Sequence, residues 1–197
     1  MSLIGFFDRG MSLGPERVAY VQGDESWTFQ RGYDVTCRVS NALLAEGLAA
    51  ETRCAVLAGN SPLAWLCVLG VWRAGLAWVP LNRRSPPADH VQVIGGFDVE
   101  ALFFQKAFAP AIEMIRAQCP RLRVLVCLDG ESPVAQSFED FCARFPTEAP
   151  DLFPAEDSLG AIMPTGGTTG RPKGVMLTQR SLGLSVAQHH QHALRGG

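Results

Sequence analysis

Residues 159–178 read LGAIMPTGGTTGRPKGVMLT, and the order of apolar, glycine and hydroxyl residues within them sets the fold. Apolar runs at 159–163 and 174–177 enclose a stretch in which Gly166, Gly167 and Gly170 fall within five positions. Glycine has no Cβ to hold a backbone away from a ligand. Such a loop can turn several N–H groups inward as a nest for an anion. Thr165, Thr168 and Thr169 add hydroxyl groups, and Lys173 adds a compact, mobile charge suited to phosphate. The segment therefore predicts a strand, a phosphate-cradling loop and the second strand of a hairpin, with Thr178 capping a helix. A plain flexible hairpin has no need of the Pro-Lys-Gly exit. A Walker loop does not fit: counted from Gly167, its second glycine falls on Pro172, and Gly174 stands where a magnesium-binding hydroxyl belongs. A dinucleotide fingerprint does not fit either, because Gly166 and Gly167 are adjacent.

Upstream, β-rich runs alternate with helical stretches, the pattern of an α/β protein. VAYVQGDESWTF reads as two strands about a Gly-Asp turn. A helix is expected from about Arg31, with Val35, Val39, Ala42 and Leu43 on one face and a left-handed stop at Gly47. A strand is expected over 54–58. Ser61 then caps a helix whose first position is Pro62, and Gly75 ends it before a strand at 76–79. Ser85 and Pro86 repeat that start signal for a helix to Gly95. Strands at 101–104 and 123–128, a helix at 108–118 and a short helix from Ser137 with Asp140 in a capping box follow. Residues 146–157 read as a surface connection. The fold expected is α/β, a mainly parallel sheet with helices on both faces.

At 197 residues, 47% hydrophobic and net charge −2, the chain can bury a substantial core and shows no basic stripe for nucleic acid. Cys37, Cys54, Cys67, Cys119, Cys127 and Cys142 form no Cys-x-x-Cys pair and read as buried thiols. Asp8 and Arg9 interrupt what a secretion leader would need, and the apolar run at 63–72 stops at Arg73, too short to span a bilayer. A cytoplasmic location with no transmembrane segment is the expectation. His189, His190 and His192 lack a cysteine or acid at ligand spacing, so a solvated helix end is preferred to a metal site. Trp65, Trp72 and Trp78 read as core. Asp89, Asp98 and Glu100 show no pairing for acid–base work, and no nucleophile elbow is present. A stand-alone, non-enzymatic α/β nucleotide-binding or interaction module is the competing class.

TGGTTGRPKGVMLT at 165–178 is similar to the signature loop of the adenylate-forming superfamily of acyl- and aryl-CoA synthetases, peptide-synthetase adenylation domains and beetle luciferases. SWTFQRGYDVTCRVSNALLAEGL, GNSPLAWLCVLGVWRAGLAWVPLN, FFDRG and PERVAY resemble earlier segments of the same family. The resemblance implies an ATP-dependent acid–thiol ligase: a small-molecule carboxylate attacks the α-phosphate to give acyl-adenylate and pyrophosphate, and coenzyme A then takes the acyl group. It implies that Thr165, Gly166, Gly167, Thr168, Thr169, Gly170 and Lys173 hold the β- and γ-phosphates, with Lys173 the catalytic cation. Mg2+ is expected with the full-length enzyme, and no metal ligand is assigned within this chain. Three departures stand out. Met163–Pro164 replaces an aromatic residue before the loop, Gln179 stands where the family generally has His, and the family's chains are more than twice as long. No adenine- and magnesium-binding aromatic-Gly-x-Thr-Glu segment, ribose-binding Asp or adenylation lysine is found. Residues 1–197 are thus expected to be the N-terminal portion of an AMP-binding domain, truncated after the phosphate loop, without the C-terminal domain and inactive alone.

Overall fold

The computed structural model describes residues 3–165 and 172–195, of which 189–195 are described for their backbone only. Two sheets form. The strands β1 (Val18–Gln22) and β2 (Glu25–Thr28) make the expected antiparallel hairpin, with Gly23 at φ 59° in its turn. The main sheet holds β3 (Arg53–Leu57), β4 (Ala77–Pro80), β5 (Val99–Phe104), β6 (Val124–Cys127), β7 (Gln136–Ser137), β8 (Leu159–Thr165) and β9 (Lys173–Thr178). Its order is β7-β6-β5-β3-β4-β8-β9, and every neighbouring pair is parallel except the β8–β9 hairpin. The central strands are covered on both faces, which is why they read as unbroken apolar runs rather than alternating ones.

The helices α2 (Phe29–Ala45), α3 (Pro62–Arg73) and α6 (Phe138–Cys142) cover one face. There Val39, Leu43, Cys67 and Val71 pack with Cys54, Ala101, Phe103 and Val126 of the sheet. The other face carries α4 (Pro87–Gly96) and α5 (Ala109–Gln118), whose Ile94, Ile112 and Ile115 pack on Ala55, Leu57, Leu102 and Phe104. The α/β fold expected from the sequence is therefore the fold formed.

Most helix signals behave as read. Ser61 Oγ accepts the Ala64 N–H at 3.1 Å with Pro62 in the first position, and Gly47 and Gly75 close their helices at φ 68° and 70°. Ser137 Oγ accepts the Asp140 N–H at 3.1 Å, but the Asp140 carboxylate takes the Ser137 hydroxyl at 2.8 Å. Ser85 is a correction. It caps nothing, and α4 starts after Pro86, which is extended at ψ 155° with Pro87 in the first position. A residue before proline is driven out of the helical region, so the second proline defers the start by one residue.

Three elements were missed. Two are short, the two-residue strand β7 and a 3-10 turn at Lys106–Phe108. The third is α1 (Leu3–Leu13), which buries Leu3, Ile4 and Phe7. It is held by Asp8, whose carboxylate pairs through both oxygens with the guanidinium of Arg73, itself only 5% exposed. Arg73 Nε also donates to Thr36 Oγ1 at 3.0 Å, and the guanidinium lies over the Tyr33 ring at 4.6 Å. A buried cation keeps its charge only with such partners. All six cysteines are buried, free thiols.

Candidate functional site

The hairpin that brackets the predicted phosphate loop begins in the core. Gly160, Ala161 and Ile162 are buried, Met163 and Pro164 are half-buried, and Thr165 is exposed. β8 is parallel to β4 through the Trp78–Ala161 pair, so Thr165 leaves the sheet at the carboxyl edge shared by β3, β4 and β5. In open α/β sheets that edge is where ligands bind. The returning strand pairs Lys173 with Thr165 and Gly174 with Pro164, and the Thr165 hydroxyl donates to Lys173 O at 3.2 Å. Pro164 brings no N–H to this ladder, and the Thr165 hydroxyl ties the strands one residue further out.

Two of the predicted phosphate-binding residues, Thr165 and Lys173, thus face each other across the mouth of the hairpin. Gly166, Gly167, Thr168, Thr169 and Gly170 lie outside the described residues. Lys173 is exposed and has no ion-pair partner among the described residues. A cation left unneutralised at the carboxyl edge of the sheet fits an anionic ligand such as a phosphate. A metal is a different matter: among the described residues no group of three or more His, Cys, Asp or Glu side chains converges. These residues suit phosphate and offer no cage for Mg2+.

Several side chains that sequence reasoning did not place in the site hold the hairpin to the sheet. Trp72 Nε1 donates to Gly160 O at 2.8 Å, joining α3 to β8. The start of β8 is fixed by Glu51, which takes φ 63° and accepts the Leu159 N–H on its carboxylate at 2.6 Å. Gly174 is wedged between Ile162 and Phe97. A Cβ built there would lie 2.5 Å from Ile162 Cγ2 and 2.9 Å from Phe97 Cζ. The Pro-Lys-Gly string was the signal for Gly174. Nothing in the sequence separates Glu51 or Trp72 from ordinary surface and core residues.

Thr178 Oγ1 accepts the Ser181 N–H at 3.2 Å and opens α7 (Gln179–Arg195), as expected. Gln179 is buried, and its Nε2 has no partner among the described residues. Thr178 pairs with Leu159, so Gln179 lies at the opposite end of the hairpin from Lys173. Six residues of strand separate those ends, roughly 20 Å. The departure at Gln179 therefore does not touch the loop mouth. Asp98 pairs with Arg53 at 3.6 Å and Arg121 at 3.3 Å, and Glu100 with Arg123 at 3.0 Å. Trp72 is core and Trp78 half-buried, but Trp65 is a correction at 39% exposure. The three rings meet edge to face at 5.6–6.2 Å, so Trp65 covers the outer side of the cluster it was expected to sit inside. The side chains of His189, His190 and His192 fall outside what the structure describes. Among the described residues no helix is long and apolar enough to cross a membrane.

Comparison with known proteins agrees with this geometry. The fold matches the crystal structure of the anthranilate CoA ligase AuaEII in complex with anthranoyl-AMP, with a TM-score of 0.85 at 22% identity, over 91% of this chain and 35% of that one. The medium-chain acyl-CoA ligase Mig of Mycobacterium avium is 30% identical over 186 residues, 85% of this chain and 34% of that protein. A medium/long-chain-fatty-acid–CoA/3-oxocholest-4-en-26-oate–CoA ligase of Mycobacterium tuberculosis is 28% identical over 181 residues, 89% and 33% of the two chains. The chain thus spans about a third of the length of these relatives. The model of one family, the AMP-binding enzymes, matches residues 7–196, and the chain belongs to that family.

Proposed function

We propose that this chain supplies the pyrophosphate end of the active site of an ATP-dependent acyl- or aryl-CoA ligase, as the N-terminal portion of its AMP-binding domain. The observation that carries the reading is Lys173, exposed and unpaired among the described residues, on a hairpin at the carboxyl edge of a parallel sheet. In the reaction, a carboxylate oxygen of the substrate attacks the α-phosphorus of ATP, and the bond to the bridging β-oxygen breaks. The charge released collects on the departing pyrophosphate. Lys173 meets that charge, aided by the backbone N–H groups of Gly166, Gly167 and Gly170 and by Thr165, Thr168 and Thr169. Preorganised donors aimed at developing charge lower the barrier without reorganising. The coenzyme A thiol then attacks the acyl carbonyl and AMP leaves, a step in which Lys173 has no part. Mg2+ would neutralise phosphate charge, through ligands other than the described residues.

The adenine, ribose and metal contacts of the reaction are assigned to sequence beyond this chain, so the 197 residues alone should give no ATP–pyrophosphate exchange above a blank with any carboxylate. In the complete ligase, Lys173→Ala should slow adenylation by tenfold or more, the equivalent of about 1.5–3 kcal/mol for a charge-assisted contact. Thioester formation from preformed acyl-adenylate should stay within about twofold. Lys173→Arg should rescue poorly, since a planar fork does not replace a compact ammonium. Both half-reactions, measured separately, test the assignment. Unchanged adenylation, or damage confined to thioester formation, contradicts it.

A further inference from the structure

We propose that the last turn of α4, at Gly96 and Phe97, is the seat that fixes where Lys173 stands, making Gly96 a positioning residue for the phosphate-binding cation. The inference rests on the reading of Lys173 given above. A Cβ built on Gly96 would lie 2.2 Å from Cγ and 2.9 Å from Cδ of Pro172. The Pro172 ring therefore occupies the space that a side chain on residue 96 would need. Two residues on, Gly174 rests on the Phe97 ring, with 2.9 and 3.2 Å from its missing Cβ to Cζ and Cε1. The residues on either side of Lys173 are thus docked on consecutive residues of α4's end. Alternation along an extended chain turns the Lys173 side chain away from that contact, consistent with its exposure.

The seat is itself held. The Phe97 N–H donates to Val93 O at 3.1 Å, and Phe97 O accepts from Arg53 Nε at 2.8 Å. Asp98, at φ 52°, is paired with both Arg53 and Arg121. The other partner cannot yield by a rotamer change. The proline ring closes on its own backbone nitrogen and fixes φ, so pushing the ring moves the backbone that leads directly into Lys173. At a helix end with room to spare, alanine in place of glycine would raise stability. Here the room is absent, and the sign should reverse.

The test uses the complete ligase that carries this chain, with ATP as the probe, by calorimetry at a temperature well below unfolding, alongside Tm. Gly96→Ala should weaken ATP binding tenfold or more and lower Tm. Adding Pro172→Ala removes Cγ and Cδ, leaves an ordinary contact of 3.6 Å to Cβ, and should restore affinity to within about threefold. Wild-type affinity in Gly96→Ala, while Lys173→Ala binds weakly, overturns the seat and leaves the phosphate assignment standing. An Lys173→Ala variant that binds as well as wild type removes that assignment and this inference with it. If Gly96→Ala folds poorly, the double variant decides. Recovery of both Tm and affinity supports the seat, and failure to recover affinity overturns it.

Discussion

His90 ties the first turn of α4 to the chain before it. Pro86 offers that helix no side-chain cap, and the buried His90 ring reaches back past it, its Nε2 3.2 Å from Ser85 O as donor to that carbonyl. Burial lowers its pKa from the usual value near 6.5, with Asp89 opposing the shift. The unfolded chain then takes up a proton before the folded one as pH falls. His90 therefore contributes stability that is complete above about pH 6.5 and is lost as pH drops through the lowered folded value. Urea unfolding at pH 7.5 and 5.5 should show a loss for wild type that is smaller in His90→Gln, which keeps an N–H donor but cannot titrate. An equal loss in the two proteins would mean that His90 does not carry the effect. At this scale the hydroxyl caps of Ser61 and Thr178 could be read directly, because each needs only its own residue and a backbone N–H three positions on. Glu51 and Arg73 could not, since each acts on a partner that only the fold brings near.

Among the elements, α3 and β8 matter most to the site, and the hydrogen bond from Trp72 to Gly160 O joins them. Trp72→Phe keeps most of the ring packing but removes the donor to the buried Gly160 carbonyl. Leaving a buried acceptor unpaired costs about 1–3 kcal/mol. Denaturant unfolding should show that loss in midpoint without a change in slope, and a change below about 0.5 kcal/mol would contradict the role given to this bond. The long elements were legible because their signals are local: helical spacing in α2, glycine stops at Gly47 and Gly75, apolar runs for the buried strands. Only α1 escaped among the long helices. Its buried face is three residues, Leu3, Ile4 and Phe7, and its anchor is an ion pair to Arg73, 65 residues away. The exposure of Trp65 escaped for a related reason, since helical spacing cannot tell the inner from the outer member of a ring cluster.

In the whole molecule, the α/β class followed from alternating strands and helices, whereas the strand order did not, because no local pattern says that β5 joins β3 on the side away from β4. The two strands that flank the expected phosphate loop were legible from their apolar runs and the glycines between them. What holds them to the sheet was not, since Gly96, Phe97, Ile162 and Trp72 lie far apart in the chain. In the proposed reaction, Lys173, at the mouth of the β8–β9 hairpin, grips the β- and γ-phosphates of ATP. Phosphorus NMR of ATP titrated with the 197-residue chain reads this at each phosphorus. The β and γ resonances should shift or broaden more than the α resonance, Lys173→Ala should remove most of that effect, and AMP should be unaffected. Resonances of β and γ left unmoved by the wild-type chain, or moved equally by Lys173→Ala, would contradict it.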